Sequence, residues 1–311
     1  MRIPHTTIVK PALAVACALL ASCGGDDSMT AQSNSTLRLD ITDAPLDTAS
    51  KVWLQFTGVE VKPAGGTSQN FTFPAKGFDL LTLRNGNAAN LLGDTIVPSG
   101  EYEWVRLILD STAGSSYIVD ATGQHDLRIP SGAETGLKLV RGFTMPAGGR
   151  ADFTIDFVLN KSIIAPPGQA PNYLMKPVLR MTDNITVGVI AGTFAPMNLA
   201  AIPACANKVP KVYLYQGAGV APDDLYNPLN GSMDSAPTID PLVTTTAALN
   251  ASSQYAYRIA FVPAGTYTVA FTCDNDDPAV DEDVAPAIPL QFTVYSQPVV
   301  VAAGQTAIVN F

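Results

Sequence analysis

Charged residues are scarce in this sequence. They make up 14% of its 311 residues, and 18 lysines and arginines face 27 acidic residues. The resulting net charge of −9 makes phosphate backbones poor partners, so nucleic-acid binding is excluded. Hydrophobic residues reach 47%, with 24 glycines and 24 prolines, which excludes a disordered or coiled-coil chain. The length allows two domains of ordinary size.

Long apolar runs are also missing after the N-terminus, which excludes a later membrane-spanning helix. Residues 1–22 have the form of an export signal, with basic Arg2 and Lys10 followed by an apolar segment too short to span a bilayer. Leu20-Ala21-Ser22-Cys23 resembles a lipobox. The resemblance implies a lipid on Cys23, and the alternative is ordinary secretory cleavage nearby with Cys23 as a free thiol.

The polar segment after Cys23 predicts a flexible tether over residues 23–36, with the folded part beginning near Leu37. Gly24 follows the lipidated cysteine where inner-membrane retention would use Asp. By resemblance to enterobacterial lipoprotein sorting, this favours the outer membrane. We therefore expect a lipid-anchored protein of the cell envelope, attached to the membrane by that anchor.

Cysteine is rare, with four in the chain. Cys17 leaves with the signal and Cys23 carries the lipid, so Cys205 and Cys273 remain in an oxidising compartment. We predict a disulfide between them; the alternative is two buried free thiols.

Histidine is rarer, and the mature chain keeps only His125. A Ser-His-Asp triad would have to use it, but it lies in a turn and no Gly-x-Ser-x-Gly elbow accompanies it. One histidine and two paired cysteines also cannot assemble a tetrahedral zinc site. The sequence therefore gives no catalytic residues and no certain metal site, and we expect a protein that is not an enzyme.

Short alternating segments separated by Gly, Pro and Asn turns predict an all-β fold of two tandem antiparallel β-sandwich domains. Val97–Tyr102 (VPSGEY) is echoed by Val262–Tyr267 (VPAGTY), and a second echo follows later in each half. We place the first domain at 37–186 and the second at 187–311.

Several segments resemble, in order, the bacterial lipoprotein family of unknown function numbered 4382. They include Leu39–Pro45 (LDITDAP), Phe78–Leu81 (FDLL), Pro98–Tyr102 (PSGEY) and Leu174–Arg180 (LMKPVLR). The resemblance covers about residues 37–183, and it implies a β-rich envelope domain without an established activity. Val262–Phe271 resembles prealbumin-like or carboxypeptidase-regulatory-like sandwiches, which implies an accessory or binding module.

An acidic loop follows Cys273, with six acidic residues among ten. Such crowding is relieved by solvent or by a hard cation such as Ca²⁺. The spacing is not that of an EF-hand, so a solvated loop is the alternative. The candidate calcium ligands are Asp274, Asp276, Asp277, Asp281 and Asp283.

Aromatic residues give the strongest indication of a ligand. Trp53 and Trp104 each stand in a predicted strand, while Tyr213 and Tyr215 alternate with Val212 and Leu214. If the aliphatic pair faces the core, both tyrosines face outward as a stacking surface for a sugar; cross-strand packing is the alternative.

We expect a non-catalytic binding or adhesion role toward a glycan or an envelope protein. The alternatives are an envelope carbohydrate hydrolase that uses paired Asp residues and a purely structural spacer. The candidate carboxylates for such a hydrolase are Asp40, Asp43, Asp47 and Asp156. The structural alternative for a buried Asp156 is an ion pair with a nearby lysine. The sequence sets no oligomeric state.

Overall fold

Alternation of apolar and polar residues makes nearly all regular structure in this chain β-strand. The computed structural model describes residues 33–43, 48–130, 136–164, 173–225, 239–276 and 288–311. The predicted signal peptide and Cys23 lie outside the described residues. Ser33–Phe311 forms one compact unit. Within the described part, no helix is long and apolar enough to cross a membrane.

The N-terminal half consists of thirteen described strands and three short helical turns. The strands are β1 (Asn34–Asp43), β2 (Lys51–Pro63), β3 (Gln69–Asp79), β4 (Ala89–Pro98), β5 (Gly100–Leu109), β6 (Tyr117–Asp120), β7 (Gly123–Arg128), β8 (Leu137–Leu139), β9 (Phe143–Met145), β10 (Arg150–Phe157), β11 (Ile163–Ile164), β12 (Tyr173–Met175) and β13 (Leu179–Asp183). The helical turns are Leu80–Thr82, Leu159–Ser162 and Asn184–Thr186.

Two sheets enclose the core of this half. The first sheet has the strand order β13-β10-β1-β4. The second has the order β11-β12-β7-β6-β2-β5-β8. In this second sheet β3 also pairs with β2, and β9 also pairs with β5. Leu37, Leu39 and Ile41 alternate along β1 and are fully buried, as the period of two requires. Strand β1 begins at Asn34, so 34–36 belong to the fold and not to the tether: Thr36 already pairs with Arg150.

The C-terminal half repeats the plan with fewer strands. They are β14 (Val187–Thr193), β15 (Lys211–Gln216), β16 (Val243–Thr246), β17 (Ala248–Leu249), β18 (Tyr255–Pro263), β19 (Gly265–Thr272), β20 (Thr293–Val294), β21 (Val299–Val301) and β22 (Thr306–Ile308). Helical turns lie at Pro196–Ala200 and Pro203–Cys205. The predicted disulfide is confirmed: Cys205 and Cys273 are bonded and belong to the buried core of this half.

The sequence echo corresponds to a repeated topology. In each half the first strand, β1 or β14, pairs antiparallel with the strand that enters the Pro-x-Gly turn and parallel with a late strand, β10 or β22. In both copies the tyrosine that follows the turn donates a hydrogen bond back to the proline carbonyl of the turn. Tyr102 Oη donates to the Pro98 carbonyl at 2.8 Å, and Tyr267 Oη to the Pro263 carbonyl at 2.6 Å. The tandem β-sandwich prediction is confirmed, with parallel pairs added to the expected antiparallel ones.

Polar contacts join the halves. Lys161 Nζ lies 2.7 Å from Asp240 Oδ1, and Thr245 Oγ1 donates to Asn85 Oδ1 at 2.9 Å. The described residues place the apolar cores of the halves in separate clusters, one over 37–181 and the others over 190–309. Independent folding of 187–311 stays a prediction.

Candidate ligand-binding face

Strand β2 presents side chains on the outer face of the nine-stranded sheet. Val52 and Leu54 are fully buried in the core, and the intervening Trp53 and Gln55 are half-exposed on the opposite side. A register shift after Phe56 adds one residue to β2 relative to β5. Such a bulge reverses the alternation, so the outward positions continue at even numbers through the rest of β2.

Trp53 covers Gly77 of the neighbouring strand β3. A Cβ atom on Gly77 would come within 2.1 Å of indole Cζ2 and 2.7 Å of Cε2, so only glycine leaves room for the ring. On the other side of β2, Trp53 pairs directly with Tyr117, with ring centroids 6.1 Å apart and planes at 19°. The Lys51 ammonium lies 5.8 Å from the indole centroid. We call Trp53, Tyr117 and the underlying Gly77 the aromatic platform.

Hydrogen-bonding side chains flank the platform. Gln55 is half-exposed one outward position along β2. On the neighbouring strand β7, Asp126 lies opposite Tyr117, and Gln124 lies opposite Val119. The side chains of Asp126 and Gln124 are both exposed. Half-exposed rings bordered by amide and carboxylate groups can stack against the apolar face of a sugar while hydrogen bonds fix its orientation.

Trp104 stands on the same outer face, on β5. The Arg106 guanidinium lies 4.8 Å and the Lys138 ammonium 4.4 Å from its ring centroid. Arg106 also makes an ion pair with Glu60 of β2, at 2.8 Å. We call Trp104, Arg106 and Lys138 the cationic cluster.

The predicted stacking surface of Tyr213 and Tyr215 is wrong. Both tyrosines are only 1% exposed, because a further layer formed by Leu225, Val220, Ile239 and Phe292 covers that side of β15. Tyr213 Oη donates to Asp276 Oδ2, and Tyr215 Oη donates to the Asp223 carbonyl. Burial raises the pKa of Tyr215. These residues therefore form core, and the sugar-stacking hypothesis moves to the tryptophans.

The acidic loop is only partly described. Asp277, Asp281 and Asp283 lie outside the described residues. Asp276 is 7% exposed and accepts hydrogen bonds from Tyr213 and from the Leu225 amide, and burial raises its pKa to about 6. Asp274 accepts from the Gln291 amide at 2.9 Å. The described part of the chain brings no three acidic, His or Cys side chains into an arrangement that could hold a metal ion. Calcium binding by the loop stays a prediction.

His125 was predicted to lie in a turn, but it lies in strand β7 opposite Ile118, and its side chain joins a polar network at the β6–β7 turn. Its Nε2 lies 2.8 Å from Thr122 Oγ1 and 3.1 Å from Asp120 Oδ1, and Tyr173 Oη donates to Asp120 Oδ2 at 2.6 Å. Hydrogen bonds, first from Tyr173 and then from Thr122, lower the pKa of Asp120. The contacts of His125 with Thr122 and Asp120 are both made by the same ring nitrogen. The network links the β6–β7 turn to β12 through the hydrogen bond between Tyr173 and Asp120.

Asp43 and Asp156 line a small cavity between the halves. Asp156 is 6% exposed, and its partner is Arg180, whose Nη2 lies 2.7 Å from Asp156 Oδ2, instead of the predicted lysine. Burial raises the pKa of Asp156, which Arg180 opposes. The cavity of about 30 Å³ has room for a water molecule and not for a sugar. This pair of carboxylates therefore has no cleft for glycoside hydrolysis.

Sequence reasoning missed Tyr117, Arg106 and Lys138. The alternation of Trp104 and Arg106 along β5 was visible in the sequence. The register that sets Lys138 opposite Arg106, and Tyr117 opposite Trp53, depends on pairing between distant segments.

The fold and the outer face define a tandem β-sandwich protein with half-exposed aromatic residues on one sheet. Residues 34–177 match a family described as a domain of unknown function, DUF4382. This confirms the family resemblance of the first half. The lipoprotein character and the resemblance of the second half stay predictions. No curated protein matches the chain.

Solved structures resemble the chain only distantly. A candidate cell adhesion protein of Parabacteroides distasonis is 12% identical, with a TM-score of 0.23 and coverage of 90% of this chain and 93% of that one. The minor pilin of Streptococcus agalactiae is 11% identical, with a TM-score of 0.18 and coverage of 88% and 94%. A leucine-rich repeat protein of Bacteroides thetaiotaomicron is 11% identical, with a TM-score of 0.21; the match covers 90% of this chain and 26% of that protein.

Proposed function

We propose that this protein is a non-catalytic binding protein of the cell envelope and that the aromatic platform binds a glycan. The observation that carries the proposal is the seating of Trp53 on Gly77 beside the near-parallel ring of Tyr117. The glycine keeps the indole close to the sheet, and the half-exposed remainder of the two rings faces outward.

The apolar area and the rigidity of the aromatic platform both favour ligand binding. Large aromatic rings contribute most of the contact energy in binding sites and lose little conformational entropy, because they have only two side-chain torsions. Trp53 is further restricted by Gly77 on one side and Tyr117 on the other. A ring already held in place costs less to order when a ligand stacks on it.

The envelope location is part of the proposal. A lipid on Cys23 would hold the protein at a membrane, with the outer membrane favoured by Gly24. In a Cys23→Ala variant the protein should leave the membrane fraction and the detergent phase. Unchanged partitioning would contradict the lipid anchor and leave the binding proposal intact.

The binding proposal is tested with a panel of immobilised envelope and matrix polysaccharides and envelope proteins. Wild-type protein should bind at least one polysaccharide, and Trp53→Ala should weaken that binding by about tenfold or more, since one stacked aromatic contributes about 1–3 kcal/mol. Ile185→Ala is a matched control, because Ile185 is a 74% exposed apolar residue away from the platform. Binding only to envelope proteins, unaffected by Trp53→Ala, would contradict a glycan ligand.

A further inference from the structure

Trp104 lies on the same outer face as the aromatic platform, toward the other end of β2. It pairs directly with Lys62, which is nine positions along β2 from Trp53. One of these positions is the extra residue of the bulge, so at a rise of about 3.3 Å per residue the two tryptophans are about 26 Å apart along the strand direction. One extended ligand that follows β2 would therefore contact both.

The cationic cluster at Trp104 has a specific register. Glu60 of β2, Arg106 of β5 and Lys138 of β8 occupy directly opposed positions in three adjacent strands. Glu60 makes an ion pair with Arg106, with Glu60 Oε2 2.8 Å from Arg106 Nη1. Lys138 is exposed, and among the described residues it makes no ion pair. Its ammonium is instead held 4.4 Å from the Trp104 ring centroid.

This arrangement leaves one positive charge uncompensated. Like charges directly opposite each other in a sheet are destabilising, and Arg106 and Lys138 are such a pair. The Glu60 carboxylate, on the other side of Arg106, offsets only part of this repulsion. The indole offsets part of that cost through cation–π attraction. An anion that contacts both side chains would remove the repulsion, and it would do so on a protein whose net charge of −9 otherwise repels anions.

We propose that the cationic cluster binds the anionic group of an acidic polysaccharide whose chain extends along β2 to the aromatic platform. The proposal rests on the proposed function, because the platform supplies the sugar-stacking half of the site. Lys138 and Arg106 would donate charge-assisted hydrogen bonds to a carboxylate or phosphate, while Trp104 supplies the adjacent apolar surface.

The two tryptophans allow each end of the face to be followed separately, since the chain contains no others. In full-length Trp53→Phe, emission reports Trp104; in full-length Trp104→Phe, it reports Trp53. Each variant is titrated in a sugar-free detergent with oligogalacturonate, with neutral cellohexaose and with inorganic phosphate. Lys138→Gln is introduced into both backgrounds, and Lys76→Gln serves as the matched control because Lys76 lies on β3 beside Phe73, away from the cluster.

Oligogalacturonate should change Trp104 emission, and Lys138→Gln should weaken that response about tenfold, as expected for one charge-assisted hydrogen bond. The response should weaken with salt, and Lys76→Gln should preserve it. A Trp104 response to phosphate equal to that for oligogalacturonate would overturn the polysaccharide assignment. If Trp53 responds to either oligosaccharide and Trp104 to neither, this inference fails and the proposed function stands. If neither tryptophan responds to any polysaccharide, the proposed function itself fails.

Discussion

The indole ring of Trp53 occupies the space that a side chain on Gly77 would need, with Cζ2 only 2.1 Å from the position of a Cβ atom there. Gly77→Ala should therefore displace the ring and destabilise the sheet by about 1–3 kcal/mol, the usual cost of overpacking. Chemical denaturation measures the free energy of unfolding, and a red shift of Trp53 emission in a Trp104→Phe background reports the displacement.

A double-mutant cycle isolates this contact. In a Trp53→Ala background the steric conflict is gone, so Gly77→Ala should cost little. An equal loss of stability in both backgrounds would show that Gly77 is required for some reason other than Trp53.

The Cys205–Cys273 disulfide closes a segment with a sequence separation of 68. Replacing both cysteines by alanine should lower the free energy of unfolding by about 2–4 kcal/mol, because the unfolded chain regains freedom. Denatured wild-type protein should show no alkylation at either cysteine without reductant. Stoichiometric alkylation would contradict the bond.

Asp276 should make stability depend on pH. Burial raises its pKa from 3.8 to about 6, while the hydrogen bond from Tyr213 acts in the opposite direction. The folded state therefore holds this proton more tightly than the unfolded state. The stabilisation is complete below pH 3.8 and is lost as pH rises through about 6.

As pH rises through that window, the free energy of unfolding of wild-type protein should fall by up to about 3 kcal/mol relative to that of Asp276→Asn, whose side chain does not titrate. Denaturation curves at a series of pH values measure the difference. Asp274→Asn is the matched control, because it removes a neighbouring carboxylate whose side chain is 26% exposed. Parallel curves for wild type and Asp276→Asn would refute the assignment to Asp276.

Calcium binding by the acidic loop remains a prediction with a direct test. At Ca²⁺ concentrations about tenfold above the dissociation constant, the free energy of unfolding should rise by about 1.4 kcal/mol and the melting temperature by about 3 °C. Asp281→Asn combined with Asp283→Asn should abolish the shift, whereas Mg²⁺ should give a smaller one, because it keeps its water ligands. A melting temperature insensitive to Ca²⁺ would leave a solvated loop.

The β fold, its tandem repeat and the disulfide were predictable because they follow from local signals. Alternation gives strands, and the Pro-x-Gly-x-Tyr echo gives the same turn twice, with Tyr102 and Tyr267 making the same hydrogen bond. The parallel pairing of β1 with β10 joins segments more than a hundred residues apart, and no local pattern encodes it.

The candidate site was predictable only in part, because it also depends on pairing and packing between distant segments. Alternation along β2 is compatible with the outward Trp53, which the sequence placed only in a strand, and a two-layer sandwich leaves that face of β2 uncovered. It fails at Tyr213 and Tyr215, where a third layer covers the outer side of β15. The partner of Asp156 was also unpredictable, because a buried carboxylate requires a cation and only the register of β10 with β13 selects Arg180.

The most direct test of the glycan-binding proposal is calorimetric titration of the best-binding polysaccharide fragment into wild-type protein and platform variants. Affinity should be retained in Tyr117→Phe, which keeps the ring, should fall in Tyr117→Ala, and should fall furthest, by about tenfold or more, in Trp53→Ala. Circular dichroism should show that each variant keeps the fold. Equal affinity in folded Trp53→Ala and wild-type protein would contradict the account.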